Sequence, residues 1–140
     1  MNELDMRRKL VETGDGSHSL YVPALDEQYH SRHGALQESQ HVFIEMGLKC
    51  FGDEEEPLRI LEIGFGTGLN ALLTLVEPRG RPVRYTTVEA YPLSMEEAAT
   101  LNYPSLLAVE AAADWFRWLH EAPWGTWASL AGQDFALYKW

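Results

Sequence analysis

A glycine-rich turn between a predicted strand and a predicted helix constrains the fold of this chain more than any other feature. Residues 58–76 read LRILEI, then GFGTG, then LNALLTLV. These are a short strand-like run, three glycines in five residues, and an apolar run of helical length. The segment VRYTTVEA at 83–90 supplies the next strand. Because strands alternate with helices, the sequence predicts an α/β fold with a parallel sheet and right-handed crossovers.

The region before this unit is predicted to form a β-hairpin and a helix. Two strand-like runs within 6–23 are separated by Gly14-Asp15-Gly16, residues that tolerate the backbone of a tight turn. A loop over 26–34 precedes apolar residues at helical spacing, which predict a helix from Ala35 to about Cys50. The acidic run 53–56, which a proline follows, is predicted to be a solvated connector.

After the second strand of the parallel sheet, the chain is predicted to be mostly helical until a last strand. The Ser-x-x-Glu pattern at 94–97 is typical of a capping box and predicts a helix that ends near 102–104. The Trp-rich segment 106–130 is predicted to be helical, with a break at Pro123-Trp124-Gly125. The final FALYKW, residues 135–140, is predicted to be a third strand.

The charge balance and the single cysteine limit the classes of function. With 21 acidic and 11 basic residues the chain carries a formal charge of −10, which argues against non-specific binding to nucleic acid. Two basic clusters, at 7–9 and 79–84, are interpreted as solvated surface charge.

The longest apolar run, 69–76, is far shorter than the roughly 20 residues of a membrane span, and no apolar signal region starts the chain, so a cytoplasmic protein is expected. Because Cys50 is the only cysteine, no internal disulfide is expected.

The spacing of the glycines separates two kinds of nucleotide ligand. A dinucleotide-binding turn, G-x-G-x-x-G, would need glycine at 64, 66 and 69, but position 69 is leucine. The glycines stand at 64, 66 and 68 after Glu62, which makes the E-x-G-x-G-x-G turn expected for S-adenosylmethionine in class I methyltransferases. Without Cβ atoms the backbone can approach the amino-acid and ribose part of the ligand. An acid before the turn suits a cationic amino group better than a phosphate.

A second acid, Glu89, stands at the carboxyl end of the next predicted strand, 27 residues after Glu62. A carboxylate there can accept hydrogen bonds from both ribose hydroxyls. Nicotinamide-binding folds use an acid in the same place, so Glu89 alone does not separate the two ligands. The glycine spacing and Glu62 together favour adenosylmethionine, and a tight turn without a ligand stays open as the alternative.

The histidines and tryptophans do not indicate a second site. His30 and His33 lie in a predicted loop and, like His41, have no nearby cysteine or matched acid, so no metal site is predicted. Trp115 and Trp118 lie three residues apart on one face of a predicted helix. They could stack on bases, but packing of this helix onto the sheet is the favoured interpretation.

Four segments of the chain resemble those of one enzyme family. They are TGDGSHSLYVPALDEQYHSRHGALQESQHVFIEMGL from Thr13, LEIGFGTGLNALLTL from Leu61, YTTVEAYPL from Tyr85 and LNYP from Leu101. Together they resemble the bacterial tRNA 5-methylaminomethyl-2-thiouridine methyltransferases. They are most similar to the stand-alone MnmD type, which corresponds to the methyltransferase half of the bifunctional MnmC enzymes. YHSRHGALQES and GFGTGLN are the most specific parts of the match.

The resemblance implies a class I, Rossmann-like methyltransferase fold and one step of tRNA modification. In that step S-adenosyl-L-methionine gives its methyl group to the primary amine of 5-aminomethyl-2-thiouridine at the tRNA wobble position. An amine must be neutral to attack, so positioning and deprotonation account for most of the catalysis. The implied partners are tRNA and, in the same pathway, a separate oxidoreductase.

The resemblance also assigns site residues by their positions in the family's motifs. The methionine end of the cofactor would be surrounded by Glu62, Gly64, Phe65, Gly66, Gly68 and Asn70. The ribose would be held by Glu89, and the adenine bordered by Ala90 and Tyr91. Candidates for closing the pocket around the substrate are Tyr29, Ser31 and Glu38.

The chain departs from the family after its third predicted parallel strand. Family members continue with an acid that can reach adenine, an Asp-Ala/Gly-Phe-x-Pro segment that faces the target amine, and further strands, whereas this chain stops at Trp140. The resemblance therefore predicts a hairpin and helix extension at 1–56, the first half of the methyltransferase domain at 57–140, and a catalytic acid beyond Trp140. In the strand order 3-2-1-4-5 the first strand is central. LRILEI is thus expected to present an open apolar edge that promotes self-association, and the isolated chain to have weak or no activity.

Three other functions stay open from the sequence. A class I methyltransferase acting on a small-molecule or protein amine is favoured by the net charge. A non-catalytic adenosylmethionine-binding module would bind the cofactor without turnover. A nicotinamide-dependent oxidoreductase comes last, because the third glycine stands one position too early for it.

Overall fold

The amino-terminal residues form a three-stranded antiparallel sheet in the computed structural model, which describes residues 5–52 and 56–140. Strands β1 (Lys9–Glu12), β2 (His18–Val22) and β3 (Glu27–Gln28) lie in the order β1-β2-β3. The predicted hairpin is confirmed, since β1 and β2 pair along their length and Gly16 lies in the turn at a φ of 84°. The short third strand is absent from the sequence prediction.

The hairpin turn caps the helix that follows it. Helix α1 (Ala35–Ser39) begins after Gly34 without a capping side chain of its own. Its first N–H groups donate to the turn instead: Ala35 to Thr13 Oγ1 at 3.0 Å, Leu36 to Ser17 Oγ at 2.9 Å and Gln37 to Asp15 Oδ2 at 2.9 Å. These are donors that a helix start otherwise leaves unpaired, so the first sheet and α1 are joined directly.

The helix predicted from Ala35 to about Cys50 is present but interrupted. Helix α1 continues as a π-helical stretch, Gln40–Glu45, and a 3-10 turn, Leu48–Cys50, follows after Gly47. A Cβ at Gly47 would lie 2.6 Å from the carbonyl oxygen of Phe43, so the bend between the two pieces depends on glycine. Of the predicted acidic connector at 53–56, residues 53–55 lie outside the described residues.

The second sheet contains the predicted parallel strands. Strands β4 (Leu58–Ile63), β5 (Val83–Val88) and β7 (Phe135–Lys139) are parallel, and β6 (Trp127–Ser129) joins the edge antiparallel to β7. The order is β4-β5-β7-β6. Helix α2 (Leu69–Val76) connects β4 to β5, as the sequence predicts. The predicted α/β fold with a parallel sheet is therefore confirmed.

Three further helices lie between β5 and β6. They are α3 (Met95–Ala99), α4 (Tyr103–Leu106) and α5 (Ala112–Glu121). The predicted capping box at α3 is confirmed, since Glu97 N–H donates to Ser94 Oγ and Ser94 N–H donates to Glu97 Oε1, both at 3.1 Å. Trp115 and Trp118 pack against the hydrophobic core, which confirms the packing interpretation of this helix.

The helical prediction for 106–130 is wrong at both ends, because residues 107–111 separate α4 from α5 and the residues after Glu121 are not helical. Helix α5 ends at Glu121, and residues 127–129 form strand β6, in which Trp127 pairs with Tyr138 of β7. The predicted break is correct, because Gly125 has a φ of 75° and Pro123 cannot continue a helix. The chain then changes direction, and β6 is extended because it pairs with β7, which lies later in the sequence.

The two faces of the second sheet differ in what covers them. The side chains of Leu58, Tyr85 and Leu137 point to one face and are buried together with residues of α2 and α5. Alternate residues point to the opposite face, where Leu61 is 67% exposed and Ile63 is 78% exposed. This second face is open in the described part of the chain. Over the same residues, no helix is both long enough and apolar enough to cross a membrane.

Candidate functional site

A cavity of about 740 Å³ lies between the glycine turn and the amino-terminal region. The turn after β4 and the end of β5 form one wall. The segment from β3 to the 3-10 turn forms the other. Parallel strands end at the same edge of a sheet, where α/β folds bind their ligands, so the cavity lies where the fold favours a site.

The backbone of the turn adopts conformations that suit glycine. Gly64 has a φ of 90° and Gly66 a φ of 55°, values that L side chains rarely adopt. A Cβ at Gly64 would point into open space, whereas a Cβ at Gly66 would lie 3.3 Å from Cδ2 of the Tyr29 ring. The turn is thus open at its first glycine and closed by an aromatic ring at its second.

Glu62 lies at the base of the cavity at the end of β4. Its side chain is buried, and its two oxygens accept hydrogen bonds from Thr87 Oγ1 at 2.9 Å and from Asn70 Nδ2 at 3.1 Å. Burial raises the pKa of the Glu62 carboxyl above its ordinary value, and these hydrogen bonds oppose the rise. The negative charge of Glu89 raises the pKa of Glu62 further. A buried acid of this kind gains from a cationic ligand.

Asn70, in the first turn of α2, adds an unused acceptor beside Glu62. Its Nδ2 donates to Glu62, but its Oδ1 is buried and has no hydrogen-bond partner among the described residues. Buried acceptors rarely stay without a donor. The carboxylate and the free amide oxygen together therefore fit a donor-rich group such as an ammonium.

Glu89 follows β5 and connects two loops of the site. Its Oε2 accepts the Gly66 N–H at 2.7 Å, and its Oε1 accepts the Tyr91 N–H at 3.0 Å. Each carboxylate oxygen has a second lone pair, so Glu89 can still accept hydroxyl hydrogen bonds. The backbone contacts hold this carboxylate at the cavity in one orientation.

The opposite wall contains two of the three residues predicted to close the pocket, Tyr29 and Glu38. The Tyr29 ring lies over Gly66, and its hydroxyl accepts a hydrogen bond from Arg8 Nε at 2.9 Å. Glu38 lines the cavity, and its Oε2 accepts the N–H of Ser31. Ser31 itself does not line the cavity, and its contact with Glu38 is made by its backbone N–H.

The structure places most of the predicted site residues around this one cavity. Its lining includes Tyr29, Glu38, Glu62, Gly64, Phe65, Gly66, Asn70 and Glu89. The lining does not include Ser31, Gly68, Ala90 and Tyr91. Gly68 is packed behind the turn against Phe65 and His120. The binding roles of all these residues stay predictions.

Sequence reasoning missed a group of side chains that supports the turn from behind. His120 Nε2 lies 3.0 Å from the carbonyl oxygen of Thr67, and the His120 ring packs edge-on against Phe65. Burial, assisted by the charge of Lys139, lowers the pKa of His120 to about 4, so the ring is neutral at pH 7 and its N–H donates to Thr67. Only the alternation along FALYK, which puts Lys139 on the buried face, could have indicated this group from the sequence.

His30, in the amino-terminal region, makes contacts that stabilise the fold. The His30 side chain lies 3.0 Å from Ser19 Oγ and packs edge-on against Tyr103. Burial lowers the pKa of His30. Within residues 5–52 and 56–140, no group of three or more His, Cys, Asp or Glu side chains could hold a metal ion.

The chain is similar to named proteins over most of its length. It is 38% identical over 117 residues to the tRNA 5-methylaminomethyl-2-thiouridine biosynthesis bifunctional protein MnmC of Aromatoleum aromaticum, which covers 76% of this chain and 18% of that protein. It is 34% identical over 125 residues to the protein of the same name from Pseudomonas aeruginosa, with 82% of this chain and 17% of that protein covered. No protein-family model matches the chain.

A solved structure has the same fold. The crystal structure of MNMC2 from Aquifex aeolicus superposes with a TM-score of 0.73 at 25% identity, over 99% of this chain and 44% of that chain. The predicted resemblance and the Rossmann-like fold, preceded by a hairpin and a helix, are thereby confirmed. The chain spans less than a fifth of the two curated relatives and less than half of the solved chain.

Proposed function

We propose that this chain binds S-adenosyl-L-methionine in the cavity beside the glycine turn. We propose further that it contributes this site to methyl transfer onto the primary amine of 5-aminomethyl-2-thiouridine at the tRNA wobble position. The observation that carries the proposal is the buried acceptor pair of Glu62 and Asn70, next to an open glycine turn. The relationship to proteins named for tRNA 5-methylaminomethyl-2-thiouridine biosynthesis supports the substrate.

The residues of the turn are proposed to hold the cofactor, which supplies the reactive methyl group when it is bound. Glu62 and Asn70 Oδ1 accept hydrogen bonds from its ammonium. Gly64 leaves room for its amino-acid part, and Phe65, Gly66 and Gly68 set the path of the backbone around it. Glu89 accepts hydrogen bonds from its ribose, and Ala90 and Tyr91 border its adenine.

The opposite wall is proposed to face the substrate amine. Tyr29 closes the cavity over Gly66, while Glu38, positioned by Ser31, presents a carboxylate to the same space. A carboxylate near the amine orients it and favours its approach. The proposed setting is the cytoplasm, with tRNA as the partner and a separate oxidoreductase in the same pathway.

Calorimetric titration with adenosylmethionine tests the cofactor site. We expect the wild-type chain to bind the cofactor and not NAD, and Glu62→Gln to weaken binding by about tenfold or more, because a charged hydrogen bond is lost. Glu12→Gln, at an exposed position in β1, is the matched control and should bind like the wild type.

Because Glu62 has a raised pKa and must be ionised to bind an ammonium, wild-type binding should tighten as the pH rises through that pKa. Equal binding by Glu62→Gln and the wild type would contradict the proposal.

A second candidate function is methyl transfer to a small-molecule or protein amine. The formal charge of −10 favours it, because an acidic surface repels a polyanion such as tRNA. Labelled adenosylmethionine offered with tRNA that carries 5-aminomethyl-2-thiouridine, and in parallel with a metabolite mixture, distinguishes the two. Label in the tRNA supports the first function, label in a metabolite supports the second, and binding without turnover supports a non-catalytic binding module.

A further inference from the structure

Arg8 lies just before β1 and connects three separate parts of the chain. Its Nε donates to the Tyr29 hydroxyl at 2.9 Å, and its Nη1 lies 3.0 and 3.2 Å from the two carboxylate oxygens of Glu97 at the start of α3. Its Nη2 donates to the backbone carbonyl of Tyr91, in the loop after β5. All three guanidinium nitrogens are therefore used.

The burial of Arg8 differs from that of its neighbour in the sequence. The Arg8 side chain is 10% exposed, whereas that of Arg7 is 88% exposed and pairs only with Asp5 among the described residues. The sequence interpretation of 7–9 as solvated surface charge is therefore correct for Arg7 and wrong for Arg8. A largely buried guanidinium with a carboxylate partner and two neutral acceptors is a structured contact.

The contacts of Arg8 form a closed series that passes through the candidate site. From Arg8 the series runs to the Tyr29 hydroxyl, and the Tyr29 ring lies over Gly66. The Gly66 N–H donates to Glu89, and the other oxygen of Glu89 accepts the Tyr91 N–H. The Tyr91 carbonyl then accepts a hydrogen bond from Arg8. Three members of this series, Tyr29, Gly66 and Glu89, line the cavity.

The geometry of the three contacts calls for an arginine. A planar guanidinium directs its N–H groups along fixed and different directions, whereas a lysine ammonium is a compact charge on a flexible stem. A lysine at position 8 could keep the ion pair with Glu97. It could not at the same time donate to the Tyr29 hydroxyl and to the Tyr91 carbonyl in the same directions.

We propose that Arg8 is a positioning residue of the cofactor site, which holds the Tyr29 ring against Gly66 and holds the loop of Glu89 and Tyr91 against the amino-terminal sheet. This role rests on the proposed function, because the ligand whose binding it tunes is adenosylmethionine. Arg8 does not line the cavity, so its effect reaches the ligand through Tyr29 and Glu89.

Two measurements on the purified chain test the role. In the absence of cofactor, NMR amide signals report the position of the Tyr29 ring, because a Cβ at Gly66 would lie 3.3 Å from that ring and an aromatic ring shifts the signals of nearby groups. Arg8→Ala should shift the signals of Gly66 and Tyr91, and Arg7→Ala, the matched exposed control, should leave both in place. In calorimetry, Arg8→Ala should weaken adenosylmethionine binding by about tenfold, Arg8→Lys should restore only part of it, and Arg7→Ala should bind like the wild type.

Tyr29→Phe provides a variant that keeps the core intact. It removes only the hydroxyl that accepts from Arg8, so it should also weaken binding, and adding it to Arg8→Ala should cause less than the product of the two single effects. Unchanged Gly66 and Tyr91 signals in both Arg8→Ala and Tyr29→Phe would overturn the positioning role. Shifted signals in a chain that does not bind adenosylmethionine would support the positioning role and refute the proposed function.

Discussion

Lys139 is a buried cation behind the glycine turn. It is 1% exposed, and its Nζ donates to the carbonyl oxygens of Leu119 and His120, at the end of α5, at 3.0 Å each. The Trp124 ring centroid lies 4.8 Å from the same nitrogen. Carbonyl groups at a helix end and aromatic faces both favour a cation. These contacts do not fully replace the hydration that the ammonium has in water, so burial lowers the pKa of Lys139 to about 8.

This shift predicts that the protein becomes more stable as the pH rises above 8. Between about 8 and the ordinary value of 10.5, the folded chain has released the proton of Lys139 while the unfolded chain still binds it. The free energy of unfolding therefore rises with pH across this window, by on the order of 3 kcal/mol for this group. Urea unfolding at a series of pH values measures it.

Two variants test whether Lys139 causes this rise of the unfolding free energy with pH. Lys139→Met should remove the rise, and Lys49→Met, at an exposed lysine, should keep it. The assignment to Lys139 fails if the methionine variant at 139 shows the same dependence on pH as the wild type.

At the level of single residues, only part of the site could be predicted from the sequence. Glu62 and Asn70 stand eight positions apart, at the end of a strand and the start of the next helix, so the local motif brings them together. His120 contacts Thr67 of the turn from 53 positions away, and Arg8 joins Glu97, 89 positions away, to Tyr29, whose ring lies over Gly66. No local pattern reports such a contact, because the packing of the whole chain creates it.

The turn between β4 and α2 is the element on which the site depends. Gly66→Ala should lower the free energy of unfolding by about 1 kcal/mol, because its φ of 55° strains an L residue. The added Cβ would also approach the Tyr29 ring at 3.3 Å, so adenosylmethionine binding should weaken as well. Chemical unfolding and calorimetric titration of the same variant measure the two effects.

Gly132→Ala is the control that separates backbone strain from the contact with the Tyr29 ring. Gly132 has a φ of 77°, and a Cβ added there would meet no atom within 4 Å, so this variant should lose similar stability and keep full binding. If both variants bind adenosylmethionine equally well, Gly66 has no particular role at the cavity.

Elements with local signals were predicted well, and elements that depend on distant pairing were not. The capping box starts α3 as predicted, because both of its hydrogen bonds join residues three positions apart. The sequence predicts helix where β6 forms, because Trp127 lies in a Trp-rich segment and its partner, Tyr138, comes later in the chain. The hydrogen bonds of β6 to β7 outweigh the local preference there.

At the scale of the whole molecule, the second sheet has a covered face and, within the described residues, an open face. Leu61 and Ile63 are exposed on the open face, and β4 pairs only with β5 within the described residues. Free strand edges beside apolar side chains favour pairing with another chain. The self-association that the sequence predicts for this edge of β4 stays a prediction.

Sedimentation velocity over a range of concentrations tests the self-association. We expect the wild-type chain to form larger species as its concentration rises, and Leu61→Lys to reduce them, because a charge at a strand edge opposes pairing. Leu106→Lys, at an exposed leucine in α4 away from the sheet, should behave like the wild type. A wild-type chain that stays monomeric at every concentration contradicts the prediction.

The contact between Arg8 and Glu97 also has a consequence for the order of folding. The two residues are 89 positions apart in the sequence, so the ion pair closes a long loop and cannot form until α3 has been synthesised. The hairpin of β1 and β2 joins residues close in sequence and can form early. The Tyr29 ring is therefore expected to settle over Gly66 late in folding, and the cofactor turn to take its final shape only when the two ends of this loop meet.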